Sequence, residues 1–318
     1  MGERSCLVGE GGSALACARA AFLFFLLPLS ELWTTPACAQ DERLAVAEPY
    51  RRQMTFTYQY FETEGLGTDS GTLPSGRTYG HAIDFEFNQA LGERWMLTAG
   101  LPLITKRYEG MAPHTPWTIV PPRTDSEFLD DGDYHSDLQD LRVGIRYLAT
   151  DGPLIIEPFA MLGVPSHDYT FFAQAAVGPQ LDRLELGVDI TYQPPFSNFF
   201  FKFAPSRELV EETLGYNVDH WRLDAEVGYF VNAAIDVRFF VSGRDGNGLS
   251  AFEFPRRDDE LWYHHDQITR HNYLNAGAGV DWALSDRNRL TTALLRMVHA
   301  QDVHALKYAV SIGMARSF

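Results

Sequence analysis

From Met54 onward apolar and polar residues take turns along the chain, and the period is two. Met54, Phe56, Tyr58 and Tyr60 alternate with Thr55, Thr57 and Gln59. The same rhythm runs from Leu184 to Tyr192, Trp221 to Tyr229, Ala233 to Val241, Leu274 to Trp282 and Tyr308 to Met314. Weaker versions occupy 79–91, 95–107, 138–148, 154–164, 171–181 and 290–300. Alternation places successive side chains on opposite faces of a β-strand. The pattern predicts about twelve strands, each near the ~9–11 residues that a tilted membrane strand needs.

The connections have a rhythm of their own. Short ones fall near Gly92-Glu93, Asp151-Gly152, Asp182-Arg183, Phe230-Val231-Asn232 and Ser285-Asp286-Arg287. Longer ones, rich in Pro, Gly, Asp and charge, are expected at 62–77, 109–136, 194–217 and 244–267, with two shorter exceptions near 165–169 and 301–305. Short turns at one end and long loops at the other are the signature of an outer-membrane barrel. The predicted fold is therefore all-β: a single antiparallel transmembrane β-barrel over 50–318. A soluble sandwich also alternates, but it has no such asymmetry between its two ends.

The cause of the alternation lies in the solvent. Hydrocarbon offers no partner to a backbone N–H or C=O, so a sheet spans a bilayer only if it closes on itself. One face then meets lipid and the other the lumen. The polar face carries Asp84, Glu86, Asp140, Arg142, Arg146, Glu157, Glu185, Asp189, Arg222, Asp224, Glu226, Asp236, Arg238 and Asp281, interleaved with small residues. These are the lumen and selectivity candidates. Trp95, Tyr147, Tyr229 and Trp282 lie on the apolar face beside the short turns, as an interfacial girdle requires.

Composition narrows the reading. The chain has 318 residues, 42 Asp+Glu against 26 Lys+Arg, and a net charge of −16. That balance disfavours nucleic acid as a partner. A mean hydropathy of −0.19 is too polar for a bundle of membrane helices. The apolar run from Ala20 to Leu29, ahead of Ala37-Cys38-Ala39, is expected to be a signal peptide over 1–39, cut between Ala39 and Gln40. A lipidated Cys38 is the alternative. A short periplasmic segment, 40–49, would follow. Cys6, Cys17 and Cys38 all fall in the removed part, so no disulfide is expected to staple the barrel.

Three segments carry a family likeness: Gly100-Leu101-Pro102-Leu103, then Ser136 to Tyr147 (SDLQDLRVGIRY), then Val164-Pro165-Ser166-His167-Asp168-Tyr169. They resemble the outer-membrane transporter family associated with meta-pathway phenol degradation, across roughly the middle third of the chain. The resemblance implies a barrel that passes substrate. The ending, with Tyr308, Val310, Ile312, Met314 and terminal Phe318, resembles the C-terminal assembly signal of outer-membrane barrels. That implies the barrel-assembly machinery as a partner, with outer-membrane lipid and lipopolysaccharide as surroundings.

Other segments carry candidate chemistry, each with a plainer reading beside it. Thr124 to Asp133 gathers oxygen ligands that suit calcium, but also suits a solvated acidic loop. His264, His265, Asp266 and His271 contain imidazole and carboxylate ligands, yet adjacent histidines in an extended loop point apart. Neither is expected to hold a metal, and no cofactor is expected. A serine hydrolase needs Ser, His and an orienting third group; Ser166 and His167 are chain neighbours expected to diverge, and no G-x-S-x-G elbow occurs. The run Phe199-Phe200-Phe201-Lys202-Phe203 is expected in a loop-end connection, either as a greasy entry or as an extension of a strand into lipid. The expected function is a passive channel for small, aromatic or hydrophobic solutes. The alternative is a closed structural or adhesin-type barrel, and a third reading is an outer-membrane hydrolase.

Overall fold

The computed structural model describes residues 52–68, 71–110, 127–251 and 260–318. The expected leader, its cleavage point and the segment 40–49 lie outside them. Thirteen strand segments form one antiparallel sheet: β1 Arg52–Thr68, β2 Gly71–Ala90, β3 Trp95–Glu109, β4 His135–Leu138, β5 Asp140–Tyr147, β6 Leu154–Pro165, β7 Arg183–Tyr192, β8 Phe199–Val210, β9 His220–Phe230, β10 Ile235–Gly246, β11 Asn272–Ser285, β12 Asn288–Gln301 and β13 Val303–Ser317. Both β4 and β5 pair with β3, so they are one stave interrupted at Gln139. The barrel thus has twelve staves. It closes where β1 pairs with β13, from Gln53↔Ser317 up to Gly67↔Val303.

Closure sorts the faces as alternation required. Met54, Phe56, Ile83, Phe85, Trp221, Phe239, Leu294 and Ile312 are exposed on the outside, where lipid would lie. The girdle forms at the turn end: the rings of Trp95 and Tyr147 are 4.6 Å apart, and Phe199 meets Tyr229 at 5.0 Å. Each aromatic sits where one edge of its ring can reach headgroups.

The count of staves agrees with expectation, but two of its contributors do not. Residues 171–181 form no strand; they lie in the loop between β6 and β7, with Phe171, Phe172, Ala173, Ala175, Ala176 and Val177 all buried. Apart from Gln174, the segment FFAQAAV is apolar at both parities, so it offers no continuous face for lumen water and is enclosed instead. In its place β8 supplies a stave over residues expected to be a long loop. Phe199 and Phe203 face outward, while Phe200 is inward and fully buried against Gly228. A strand at the girdle can use aromatics on both faces, which a period-two reading mistakes for an apolar run. Accordingly the long connection expected at 194–217 is two: a short turn at 193–198 and a loop at 211–219, at opposite ends. The loop expected at 62–77 is strand nearly throughout, with β1 and β2 paired as far as Thr68↔Gly71.

Candidate functional site

The lumen wall is where the chemistry collects. Arginines on one stave reach carboxylates on their neighbours or on the stave beyond. Arg142 on β5 places Nη2 2.7 Å from Asp84 on β2, lying across β3. The strand between offers Gly100 at that level, and a Cβ there would stand 2.8 Å from the guanidinium. The device recurs. Arg183 on β7 crosses β6 over Gly163 to reach Asp140 on β5 at 2.7 Å. Arg222 on β9 lies over Ser206 of β8 and bonds Glu185 on β7 and Glu208 on β8, each at 3.3 Å. Arg238 on β10 joins Glu226 on β9 at 3.2 Å and Asp281 on β11 at 2.8 Å, and Gly279 leaves its side chain room. Arg146 on β5 reaches Asp189 on β7 and lies 4.0 Å from Glu157 on β6. A planar guanidinium that forks between two carboxylates suits this cross-stave pairing.

The sequence candidates therefore all face inward, and the structure joins most of them into one belt. Asp236 meets Arg289 at 3.5 Å. Glu86 accepts a hydrogen bond from Asn88 at 2.8 Å. Asp224 lies on the same wall, 3% exposed. Sequence reading missed Lys106, Arg183, Lys202, Glu208, His220 and Arg289. Lys202 and Glu208 lie on β8, where a loop is expected because the Phe run masks the alternation. Continuing the alternation Phe200, Lys202, Ala204, Ser206, Glu208 would have found both.

Two loops fold into the mouth above the belt. The loop 166–182 is held by apolar packing, Ala173, Ala175 and Ala176 with Tyr108 and Leu129, and Tyr169 and Val177 with Ala82 and Ile104, and by polar contacts. The Asp130 carboxylate accepts the N–H groups of Gln174 (3.1 Å) and Ala175 (2.9 Å). Lys106 Nζ donates to the Ala176 carbonyl at 2.5 Å, and Gln139 Nε2 to that of Val177 at 2.9 Å. Tyr169 donates to Asp140 at 2.5 Å, so the loop is tied directly to the charged belt. Burial, and then the neighbouring Asp140 charge, hold the Tyr169 phenol well above its ordinary range, so it stays a donor. The second loop ends in two helical turns, Glu260–Tyr263 and His265–Ile268, which pack Tyr263 against Phe171 and Phe172. Gln267 Nε2 donates to the Pro179 carbonyl at 2.6 Å, joining loop to loop.

The candidate ligand sets are spent on this packing. His265 stacks on Trp262 with ring centroids 4.0 Å apart, and His264 stacks on Phe171 at 5.3 Å. Asp131 accepts from His135 at 2.8 Å; Thr124 to Ser126 lie outside the described residues. No group of three or more metal-ligating side chains occurs among the described residues. One expectation needs correction. Ser166 and His167 do not diverge: Ser166 Oγ is 2.9 Å from His167 Nδ1, and His167 Nε2 is 3.1 Å from Asp137. The return of the chain after β6 brings Asp137 of β4 beside them. Yet Ser166 Oγ also donates to the Leu138 carbonyl, and its own N–H goes to the Gln139 carbonyl, so that amide is not an oxyanion donor. The trio is a hydrogen-bond chain along the rim.

No protein-family model matches the sequence, and no curated protein sequence matches it. Among solved structures, the chain is similar to an outer-membrane channel from Pseudomonas putida F1. The TM-score is 0.64 at 11% identity, over 86% of this chain and 97% of that one. At that identity the likeness establishes the fold: an outer-membrane β-barrel. The toluene transporter TodX of P. putida matches less well, at a TM-score of 0.43 and 10% identity over 86% of this chain and 92% of that one.

Proposed function

We propose that the chain is an outer-membrane channel through which small solutes move down their gradient. The observation that carries this reading is the division of labour inside the barrel. A belt of charged side chains lines the wall from β2 round to β11, while the mouth holds two loops that are separate from the sheet and packed against it by apolar clusters and hydrogen bonds. Loops of that kind can move away without opening the sheet, whereas a barrel built only as an anchor has no need of a separable stopper. The turn end would face the periplasm and the loop end the outside.

The resemblance to the phenol-degradation transporters, together with the aromatic cluster of Phe171, Phe172, Trp262 and Tyr263 at the mouth, supports aromatic or otherwise apolar solutes. The competing reading is a closed barrel. It is favoured by the burial of the belt itself, where Asp281 is 0% and Arg222 and Glu226 are each 1% exposed. Planar-bilayer recording on purified protein separates the two. Stepwise conductance supports the channel, and silence, together with no gain of solute uptake in cells, would leave the closed barrel.

A further inference from the structure

One inward-facing arginine stands outside the network of pairs. Arg142, Arg146, Arg183, Arg222, Arg238 and Arg289 each reach a carboxylate. Arg244 on β10 has the same inward parity as Arg238 and Ser242 and is half-buried. Yet it makes no ion pair and no hydrogen bond among the described residues, and its Nε is buried without a partner. Its neighbours make this costly. Arg244 stands directly opposite Arg222 on the β9–β10 ladder. Like charges on one rung repel, and Arg222 already bonds Glu185 and Glu208. The charges that act on Arg244 are Glu208, which attracts it, and Arg222 and Arg183, which repel it. A guanidinium placed beside two others gains most from an anion brought from outside the chain.

The rungs beneath Arg244 narrow the class of anion. On the β10–β11 ladder Arg244 pairs with Tyr273, then Ser242 with Asn275, then Phe240 with Gly277, all facing the lumen. Ser242 Oγ and Asn275 Oδ1 are buried, and neither has a hydrogen-bond partner among the described residues. Buried polar atoms are normally satisfied, and a solute hydroxyl can accept from Ser242 while donating to Asn275. Same-face residues two apart on a strand are separated by ~6.8 Å, close to the span of a benzene ring from a carboxylate to a para hydroxyl. Tyr273 and Phe240 border that span with aromatic side chains. The fork of the guanidinium matches a planar carboxylate. Glu208, and Asp224 on the rung with Ser242, disfavour a second negative charge. The second loop comes down on this spot, because His271, directly before β11, feels the Arg244 charge.

We propose that Arg244, Ser242 and Asn275 form a solute site in the lumen that takes a hydroxylated aromatic monocarboxylate, its carboxylate on Arg244 and its hydroxyl between Ser242 and Asn275. The site rests on the channel reading and gives it a solute class. Calorimetric titration of the detergent-solubilised barrel with 4-hydroxybenzoate tests it, on the unmodified protein and on Asp130→Ala, which removes a latch of the stopper. Arg244→Met should weaken binding about 10–100-fold, and Arg244→Lys, which keeps the charge and loses the fork, by less. Ser242→Ala should weaken 4-hydroxybenzoate about 3–10-fold and leave benzoate unchanged. That variant carries the test if those at Arg244 fail to assemble, and equal losses for the two acids would overturn the place given to the hydroxyl. No binding by either the unmodified or the Asp130→Ala protein, undiminished binding by Arg244→Met, or tighter binding of inorganic phosphate overturns the site. Single-channel recording on the same preparations keeps the two claims apart. Conductance without 4-hydroxybenzoate binding overturns the site and leaves the channel standing. Binding with neither conductance nor uptake by cells leaves the site and overturns the channel.

Discussion

Two sectors of the inner wall solve the same problem differently. From β2 round to β11 the wall is a belt of arginines and carboxylates. Across β12, β13 and β1, between Arg289 near the turns and Lys307 near the loops, it is Thr291, Ala293 and Leu295, then Ser311 and Ala309, then Thr57, Gln59 and Phe61. Both sectors present the same outward row of lipid-facing apolar residues. The difference teaches that a bilayer dictates only the outer face. The inner face must be compatible with its neighbours, and a charge is compatible only where the adjacent staves leave its side chain room and supply its partner. Gly100 and Gly279, where a Cβ would press on Arg142 at 2.8 Å and on Arg238 at 3.0 Å, are therefore as much a part of the charged belt as the arginines above them.

The comparison breaks most visibly at Arg222. Replacing it with Met removes the guanidinium shared by Glu185 and Glu208, both buried, leaving Glu208 with Arg183 at 3.5 Å and Glu185 with the Ser206 hydroxyl, and should cost about 3–5 kcal/mol in denaturant unfolding of the detergent-solubilised barrel. Thr57→Val in the uncharged sector should cost under ~1 kcal/mol. Similar losses for both would mean that the belt contributes no more than the hydroxyl wall. Next comes the outer face, where the sectors should agree. Leu294→Arg and Phe239→Arg, on opposite sides of the sector boundary, are each expected to lose ~2–4 kcal/mol near the midplane. Heat-modifiable gel mobility of the assembled fraction checks the ranking.

A smaller effect is expected at the stopper. Asp130→Ala leaves the Gln174 and Ala175 amides without their acceptor and weakens the latch by about 1–3 kcal/mol. Single-channel recording should then show more frequent or longer openings; unchanged gating would place the stopper elsewhere. The smallest effect concerns acid. Burial, and then the adjacent Arg244 charge, push the His271 pKa down from 6.5 to about 3. The unfolded loop would take up a proton near 6.5 and the folded one only near 3, so protonation favours the open form. Protection of the 260–271 loop in hydrogen exchange should fall progressively as pH drops from 6.5 towards 3. Constant protection over that window would show that His271 is not buried against the wall.

Much of this was legible beforehand. The alternation from Trp221 to Tyr229 sorted Arg222, Asp224 and Glu226 to the inside without any knowledge of what they touch, because a strand's two faces are fixed by its backbone alone. Partners were not legible. That Asp84 belongs to Arg142, two staves away, depends on Gly100 lying between them, a fact about three strands at once. The failures at 171–181 and 199–210 share a cause. Periodicity needs contrast between faces, and FFAQAAV has little because both of its faces are enclosed, while FFFKF has little because the girdle places aromatics on either side of the sheet.

The pairing of β1 with β13 also has a bearing on how the molecule comes to exist. Gln53 meets Ser317, and the Phe318 N–H bonds the Arg52 carbonyl, so the two ends of the described chain are adjacent rungs. Every other rung joins strands that are neighbours in sequence and can form as hairpins over short distances. This one requires a loop of nearly the whole polypeptide, the slowest kind of contact to make. Until it forms, the first and last strands both have open edges, so a polypeptide crossing an aqueous compartment would be vulnerable to sticking to its own copies. The seal is thus the rung that must be closed across the longest stretch of chain, and the topology leaves both end strands with open edges until it is made.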